Sequence, residues 1–380
     1  MPHMEVTENV KEGGPMSAED SVSPNVPRKV STVVLTGAGF SRAACLPLTS
    51  DLVRSGRERS KIKFGSGFVD TLDEVAHTIL KEPMGNEIEA VLTRLKVVEL
   101  YSEEYSTKVA GSVEEGNYKT KLLQLEMGIY MLVWATLQLP PDLPPLYDDF
   151  LKRFGNDVAF ASRNYDLLLE TIFRRNQRAW YYPLQGETKF RNDLGPYDGS
   201  FFTTPKQDPY SIPYLKLHGS FNWYYCWNCE YLSIVHDADI VLGCTLLREG
   251  RDPVSVGNPR HCGEDACLES THPTRGQPIL KPLIIPPARM KEYRQTSIRR
   301  QWAFFDLLLA QAQEVVLVGT SVRDDDVLLV NSLNLLRLKN PQLKRIVVID
   351  PNEEVVANVG RLAKVETVRY PCLKAYINNA

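Results

Sequence analysis

Short apolar runs alternate with longer amphipathic segments along this chain of 380 residues. The apolar runs resemble buried strands and cover residues 32–36, 157–162, a segment ending at His218, residues 314–321 and a segment ending at Asp350. Helix-like patterns, such as NYDLLLETIF and DVLLVNSLNLLRLK, follow several of these runs. Because strands that alternate with helices form parallel sheets, we predict an α/β fold with a Rossmann-like, doubly wound parallel sheet.

The predicted domain organisation is one α/β domain over residues 29–375 that carries a long insertion. Residues 51–150 have apolar side chains three and four positions apart, which predicts a helical insertion between the first and second strands. Residues 1–28 are rich in Glu, Ser, Pro and Gly and poor in large apolar residues, a composition typical of a disordered tail.

Composition narrows the classes of protein that fit this chain. Its apolar share of 43% and charged share of 24% are those of a soluble globular protein. A net charge of -3 gives no support for direct nucleic-acid binding. The longest uncharged apolar run, residues 127–139, is shorter than the roughly 20 residues needed to span a bilayer. The N-terminus has no apolar signal-peptide core, so we predict a cytoplasmic protein without membrane contact.

The turn TGAGFS follows the first strand and contains Gly37, Ala38, Gly39 and Ser41. In a strand–turn–helix, glycine lets the backbone approach a pyrophosphate, and the start of the helix supplies N–H donors. The third glycine of the dinucleotide fingerprint is replaced by Arg42. A tight strand-to-helix turn that binds no ligand is therefore an equal alternative.

Two later strands end in polar groups that are able to do chemistry. Asn164 and Asp166 lie in SRNYDLL, where a strand ends and a helix begins, and His218 follows a short apolar strand. Imidazoles titrate near neutral pH, so His218 suits the work of a general base. Taken singly, each has a plainer interpretation, as a helix cap for Asn164 or Asp166 and as a packed residue for His218.

The last two predicted strands end in groups that suit a nucleotide. Gly319, Thr320 and Ser321 form a turn of small residues that can admit a phosphate or a ribose, and Asp350 could bond ribose hydroxyls. The acidic run at residues 324–326 is typical of the start of a helix, where negative charge is favourable.

Four cysteines stand in two pairs with the spacing of metal ligands. Cys226 and Cys229 form C-x-x-C, and Cys262 and Cys267 form C-x4-C. They predict a structural zinc site in a small module of residues 222–285. The gap between the pairs is long, so substitute ligands, unliganded thiols and a redox pair remain alternatives; the possible substitutes are His236, Cys244, His261 and His272.

The order of these motifs resembles that of the sirtuin family of NAD-consuming enzymes, from about residue 30 to about residue 370. The segments NEIEAVLTRL, NYDLLLE, LHGSFNW and LIIPP are similar to a divergent bacterial sirtuin-like group, several members of which hydrolyse NAD in antiphage defence. The G-I-P-x-F-R and F-G-E segments typical of protein deacylases are replaced here by AACLPLTSDL and PLIIPPARMKEY. The parts that bind an acylated peptide are therefore missing from the pattern.

The resemblance implies a role for each candidate residue. Asn164 would hold a water or the nicotinamide ribose, Asp166 would shape the nicotinamide pocket, and His218 would be the base at the ribose hydroxyls. Asp350 stands where sirtuins commonly place an asparagine against the adenosine ribose. The remaining cofactor-binding candidates would contact phosphate or ribose: Gly37, Ala38, Gly39, Ser41, Gly319, Thr320 and Ser321. The zinc would be held by Cys226, Cys229, Cys262 and Cys267.

The resulting expectation is an enzyme that hydrolyses NAD to nicotinamide and ADP-ribose. One alternative is an NAD-dependent protein-lysine deacylase, and another is a non-catalytic module that binds NAD or ADP-ribose. A dehydrogenase fits less well, because the glycine fingerprint is incomplete and the paired cysteines would have no purpose. Constant NAD hydrolysis would be toxic, so we expect control through a homo-oligomer or a separate regulatory ATPase.

Overall fold

The computed structural model describes residues 29–81, 84–85, 88–106, 113–184, 190–192, 211–225, 232–234, 281–285, 293 and 295–379. Within these residues, the main sheet has seven strands in the order β11-β10-β9-β1-β2-β5-β3, and all neighbours are parallel. The strands are β1 (Thr32–Thr36), β2 (Val158–Ser162), β3 (Trp180–Tyr181), β5 (Ile212–Lys216), β9 (Glu314–Val318), β10 (Arg345–Ile349) and β11 (Thr367–Tyr370). The predicted α/β class with a parallel sheet is therefore confirmed.

The central strands are apolar on both faces, which explains why they can be recognised in the sequence. Every residue of β2 is buried, and in β1, β9 and β10 only the first residue is not. Parallel strands covered on both sides have such near-continuous apolar runs.

Helices complete the main core around this sheet. Their apolar side chains form one buried cluster with those of the strands. These helices are α1 (Ala38–Ser41), α6 (Leu146–Lys152), α7 (Leu168–Arg175), α8 (Thr296–Leu309), α9 (Val327–Lys339), α10 (Glu353–Ala363) and α11 (Leu373–Asn379).

The stretch between β1 and β2 is helical, and most of it has a core of its own. It contains α2 (Leu52–Phe64), α3 (Ser66–Leu80), α4 (Ile88–Ser106) and α5 (Val113–Thr136), whose apolar side chains form a second cluster. The helix α6 begins within residues 51–150 and ends just beyond them, and its side chains belong to the main core. No helix in the described ranges is long and apolar enough to cross a bilayer.

A smaller sheet contains the strand that begins directly after His218. It comprises β4 (Phe190–Asn192), β6 (Gly219–Tyr225), β7 (Leu232–Ile234) and β8 (Lys281–Ile284) in the order β4-β7-β6-β8, and β6 is antiparallel to β7 and β8. The predicted zinc ligands Cys226, Cys229, Cys262 and Cys267 lie outside the described residues. The residues that are described contain no group of three or more potential metal ligands. The zinc site therefore stays a prediction.

Candidate functional site

The strand order changes direction at β1, which lies between β2 and β9. In open parallel sheets, ligands bind at the carboxyl ends of strands beside such a reversal. A cavity of about 790 Å³ is lined by the loops that follow β1, β2, β9 and β10. The structure brings to this one cavity every catalytic and cofactor-binding residue predicted from the sequence: Gly37, Ala38, Gly39, Ser41, Asn164, Asp166, His218, Gly319, Thr320, Ser321 and Asp350.

The turns after β1 and β9 touch so closely that only glycine fits between them. Gly39 N–H donates to Gly319 O at 2.8 Å, and Gly37 N–H donates to Val318 O at 3.0 Å. Gly319 has a φ of +56°, and a Cβ added to it would lie 2.4 Å from Phe40 N. These glycines are therefore required by the contact between the two turns, whether or not a ligand binds.

Contacts within the protein also limit which groups of this turn can reach a phosphate. The amides of Gly37 and Gly39 already donate to carbonyls of the protein, and α1 is a single turn. Arg42 and Lys374 line the cavity as well, and within the described part of the chain neither is recorded in an ion pair. Arg42 is therefore better suited than the glycine amides to meet an anionic ligand.

A hydrogen-bond relay fixes the orientation of the Asn164 side chain. The Asp166 carboxylate can only accept, so Ser41 Oγ donates to Asp166 Oδ2 at 2.8 Å. Ser41 Oγ then accepts from Asn164 Nδ2 at 2.9 Å, and the same amide nitrogen donates to Gly37 O at 2.9 Å. With both of its N–H groups committed, the Asn164 amide presents its oxygen as the atom available to a ligand in the cavity.

The buried ammonium group of Lys216 holds the loop that carries Asn164 and Asp166. Lys216, at the end of β5, is 0% exposed and donates through Nζ to Asp166 O at 2.5 Å. Its Nζ also lies 3.4 Å from Glu170 Oε1. Glu170 accepts from the hydroxyls of Tyr182 at 2.7 Å and Tyr214 at 3.3 Å. Burial, together with the Glu170 charge, holds the pKa of both tyrosines well above the usual range.

His218 lies in the short connection between β5 and β6, enclosed by aromatic rings. It is 6% exposed, and its ring centroid lies 6.4 Å from that of Tyr293 and 6.3 Å from that of Trp302. Ile285 N–H donates to His218 O at 2.7 Å, and Trp302 Nε1 donates to the preceding carbonyl at 2.9 Å. These bonds fix the backbone on both sides of an imidazole that lines the cavity.

Arg163 connects the β2–α7 loop to the loop after β9. Its Nη1 donates to Thr320 Oγ1 at 2.9 Å and to Ser321 O at 2.6 Å, and its Nη2 is paired with Asp326 Oδ2. Asp326 Oδ2 also lies 3.9 Å from His218 Nε2. This arrangement gathers a guanidinium, a carboxylate and an imidazole at one wall of the cavity.

The helical insertion contacts the site at several places, two of which involve polar groups. Tyr165, between Asn164 and Asp166, belongs to the second core, and its hydroxyl donates to Ile285 O at 2.5 Å. On the cavity wall, Arg323 donates to both carboxylate oxygens of Glu89, at 2.9 and 3.1 Å. The packing of α2 to α5 is therefore continuous with the loop that carries Asn164.

Asp350 and Thr320 have partners that restrict what they can offer to a ligand. Asp350 Oδ1 accepts from Asn352 N–H at 2.8 Å, which leaves Oδ2 for a further bond. Thr320 is 2% exposed and accepts from Arg163, so its hydroxyl proton is the group left to donate.

The sequence interpretation missed several residues of this site. The cavity-lining arginines and the buried Lys216 were not singled out, because Lys and Arg are common on surfaces and carry no motif of their own. Asp326 was interpreted only as part of a helix start. One signal was present, since LKLHG places Lys216 inside an apolar strand, where an unpaired charge would be costly.

No protein-family model matches this chain. No curated protein matches it either. Several solved sirtuin structures are similar, among them one from a study of sirtuin substrate affinity, with 14% identity, a TM-score of 0.39 and coverage of 92% of this chain and 90% of the other. A Sir2–p53 peptide–NAD⁺ complex has 14% identity, a TM-score of 0.40 and the same coverage. A complex of a Sir2 homologue with ADP-ribose has 12% identity, a TM-score of 0.40 and coverage of 93% and 90%. Likeness at this level does not assign the chain to a family.

Proposed function

We propose that this protein is a sirtuin-like NAD glycohydrolase that releases nicotinamide and ADP-ribose. The observation that carries the proposal is the Asn164 amide oxygen, oriented by the Ser41–Asp166 relay and sharing a cavity with His218. The cavity, at about 790 Å³, falls in the range of roughly 300–1,000 Å³ that is usual for small-molecule sites. The ordered set of motifs in the sequence supports NAD as the substrate.

The chemistry requires a positioned acceptor and a base. When the nicotinamide–ribose bond breaks, its electron pair goes to the nicotinamide nitrogen and leaves an oxocarbenium-like ribose. A water then adds to the anomeric carbon. The Asn164 oxygen accepts a hydrogen bond from this water or from a ribose hydroxyl, and His218 takes the proton. The products are nicotinamide, ADP-ribose and one proton.

At the other end of the substrate, the side chains supply binding rather than chemistry. Arg42 pairs with the pyrophosphate, because the amides of Gly37 and Gly39 already donate to carbonyls of the protein. The free oxygen of Asp350 accepts from the hydroxyls of the adenosine ribose. A zinc ion bound by Cys226, Cys229, Cys262 and Cys267 would hold the small module together and would take no part in the reaction.

Hydrolysis is preferred to deacylation because the chain replaces both peptide-binding segments of the deacylases, as the sequence shows. A part in antiphage defence, control by a homo-oligomer or an ATPase, and a cytoplasmic location rest on sequence patterns and on the resemblance. They stay predictions.

The test is nicotinamide release from NAD by the purified protein, with and without an acetyl-lysine peptide. We expect release without peptide, lowered at least about a hundredfold in Asn164→Ala and His218→Ala. His77→Ala is the matched control, because His77 is exposed on α3 and does not line the cavity. Release only with peptide would replace the proposal by a deacylase. NAD binding without turnover would replace it by a binding module.

A further inference from the structure

Asp326 occupies the position of a helix cap but does not act as one. It immediately precedes α9, where an aspartate normally accepts from the first amides of the helix. Its side chain makes no such bond. Instead it is 0% exposed, and its carboxylate pairs with Arg163, which lines the cavity. Burial of a carboxylate is costly, so its placement calls for an explanation other than the start of the helix.

The described groups around this carboxylate include side chains from three separate segments. Arg163, from the β2–α7 loop, pairs with Oδ2, and His218 Nε2 lies 3.9 Å from the same oxygen. The hydroxyl of Tyr293 lies 3.5 Å from Oδ1. Arg163 is itself held by Thr320 and Ser321. The guanidinium supplies a countercharge for Asp326, and the carboxylate is also close enough to the imidazole to attract a positive charge there.

We infer that Asp326 is a positioning residue that stabilises the imidazolium formed when His218 accepts a proton. The inference rests on the proposed function of His218 as the base. In the resting site, the positive Arg163 balances the negative Asp326, and the imidazole is neutral. After proton transfer the carboxylate lies between two cations, Arg163 and the His218 imidazolium. Because Asp326 is fully buried, little water screens it, and its negative charge stabilises the imidazolium strongly.

Loss of the Asp326 charge should shift the pH dependence of the reaction in one defined direction. Among the described residues, the titratable or charged groups near His218 include Asp326, Arg163 and Tyr293; the ring of Trp302 is neutral. Burial above all raises the pKa of Tyr293, so this group stays uncharged at ordinary pH. The Asp326 charge favours protonated His218, and the base must be neutral to act. Removal of that charge therefore moves the acid limb of the pH–rate profile to lower pH while it lowers the plateau rate.

The experiment compares Asp326→Asn with Asp324→Asn, which makes the same chemical change two residues away at an exposed position that does not line the cavity. Two quantities are measured: the pH–rate profile of nicotinamide release, and the NMR titration of the His218 imidazole, assigned with His218→Gln. For Asp326→Asn we expect both midpoints to fall by about one pH unit and the plateau rate to fall by about tenfold. For Asp324→Asn we expect neither change.

A merely structural role would lower the rate and leave both midpoints in place, and that result would overturn the inference. If circular dichroism shows that Asp326→Asn folds poorly, the double variant Arg163→Gln, Asp326→Asn is used, because it removes both members of the ion pair. Its NMR midpoint is then compared with that of Arg163→Gln alone. Failure of the unchanged protein to cleave NAD would contradict the proposed function only. The NMR midpoint tests the influence of Asp326 on His218 without any turnover.

Discussion

Replacement of Lys216 by methionine tests how much the buried ion pair of Lys216 and Glu170 contributes to the free energy of unfolding. Methionine has a similar length and no charge, so Lys216→Met removes the bond from Nζ to Asp166 O and the attraction to Glu170 at 3.4 Å. Both side chains are almost fully buried, at 0% and 3% exposed. The change therefore leaves a carboxylate in the core without its countercharge.

The expected cost follows from the partners that Glu170 keeps. Removal of one member of a buried ion pair costs about 3–5 kcal/mol. The hydroxyls of Tyr182 and Tyr214 still donate to Glu170 in the variant and replace part of its lost stabilisation. We therefore expect the lower end, about 3 kcal/mol. Glu170→Gln in the same chain removes the stranded charge, so the double variant should recover about half of that loss.

The assay is urea unfolding followed by circular dichroism, on the single variants and the double variant as a cycle. Lys339→Met is the matched control, because Lys339 is 40% exposed and its pair with Asp306 at 3.0 Å should be worth less than about 1 kcal/mol. If Lys216→Met unfolded like the control, or if the added Glu170→Gln brought no recovery, the buried pair would not be a structural anchor.

Four other predictions follow from the site and the fold. Ser41→Ala breaks the relay and should lower the rate of nicotinamide release by about tenfold, whereas Ser41→Thr should keep it. Arg42→Ala should raise the KM for NAD by about tenfold or more and leave kcat unchanged. Steady-state kinetics test this, with Arg54→Ala as the control, because Arg54 is exposed and does not line the cavity. Gly319→Ala should lower the unfolding midpoint in urea, since its Cβ would overlap the neighbouring turn. Burial raises the folded-state pKa of Tyr181 and Tyr376 from 10.0 to about 12, so the free energy of unfolding should fall as pH rises through this interval. Urea unfolding curves at several pH values, with tyrosinate followed by its ultraviolet absorbance, test this. A free energy of unfolding that does not change as the tyrosines ionise would contradict it.

The sequence predicted the elements of the main sheet better than those of the smaller one. Strands such as β1, β9 and β10 are buried on both faces, so their residues are apolar almost without interruption. The strand β6 was not predicted. Its residues, GSFNWYY, begin directly after His218, and no turn residues other than Gly219 separate them from the preceding strand. The cysteine pairs lie outside the described residues, so that prediction is untested.

The candidate site was predictable wherever a side chain lies at the end of a strand. Parallel strands bring their carboxyl ends to one edge, so Gly39, Asn164 and Gly319 had to meet once the sheet was known. The partner of His218 was not predictable. Asp326 follows it by more than a hundred residues and lies at a helix start, where an aspartate has an ordinary local explanation.

The sequence by itself determined the alternation of strands and helices, the ends of the strands and the types of residue placed there, because these depend on local periodicity and side-chain chemistry. Only the tertiary structure decided that the glycines serve a contact between two turns, that Ser41 and Asp166 orient Asn164, and that Asp326 faces His218 instead of its own helix. These depend on distances between segments far apart in the chain, and such distances are set by packing of the whole core rather than by any local pattern.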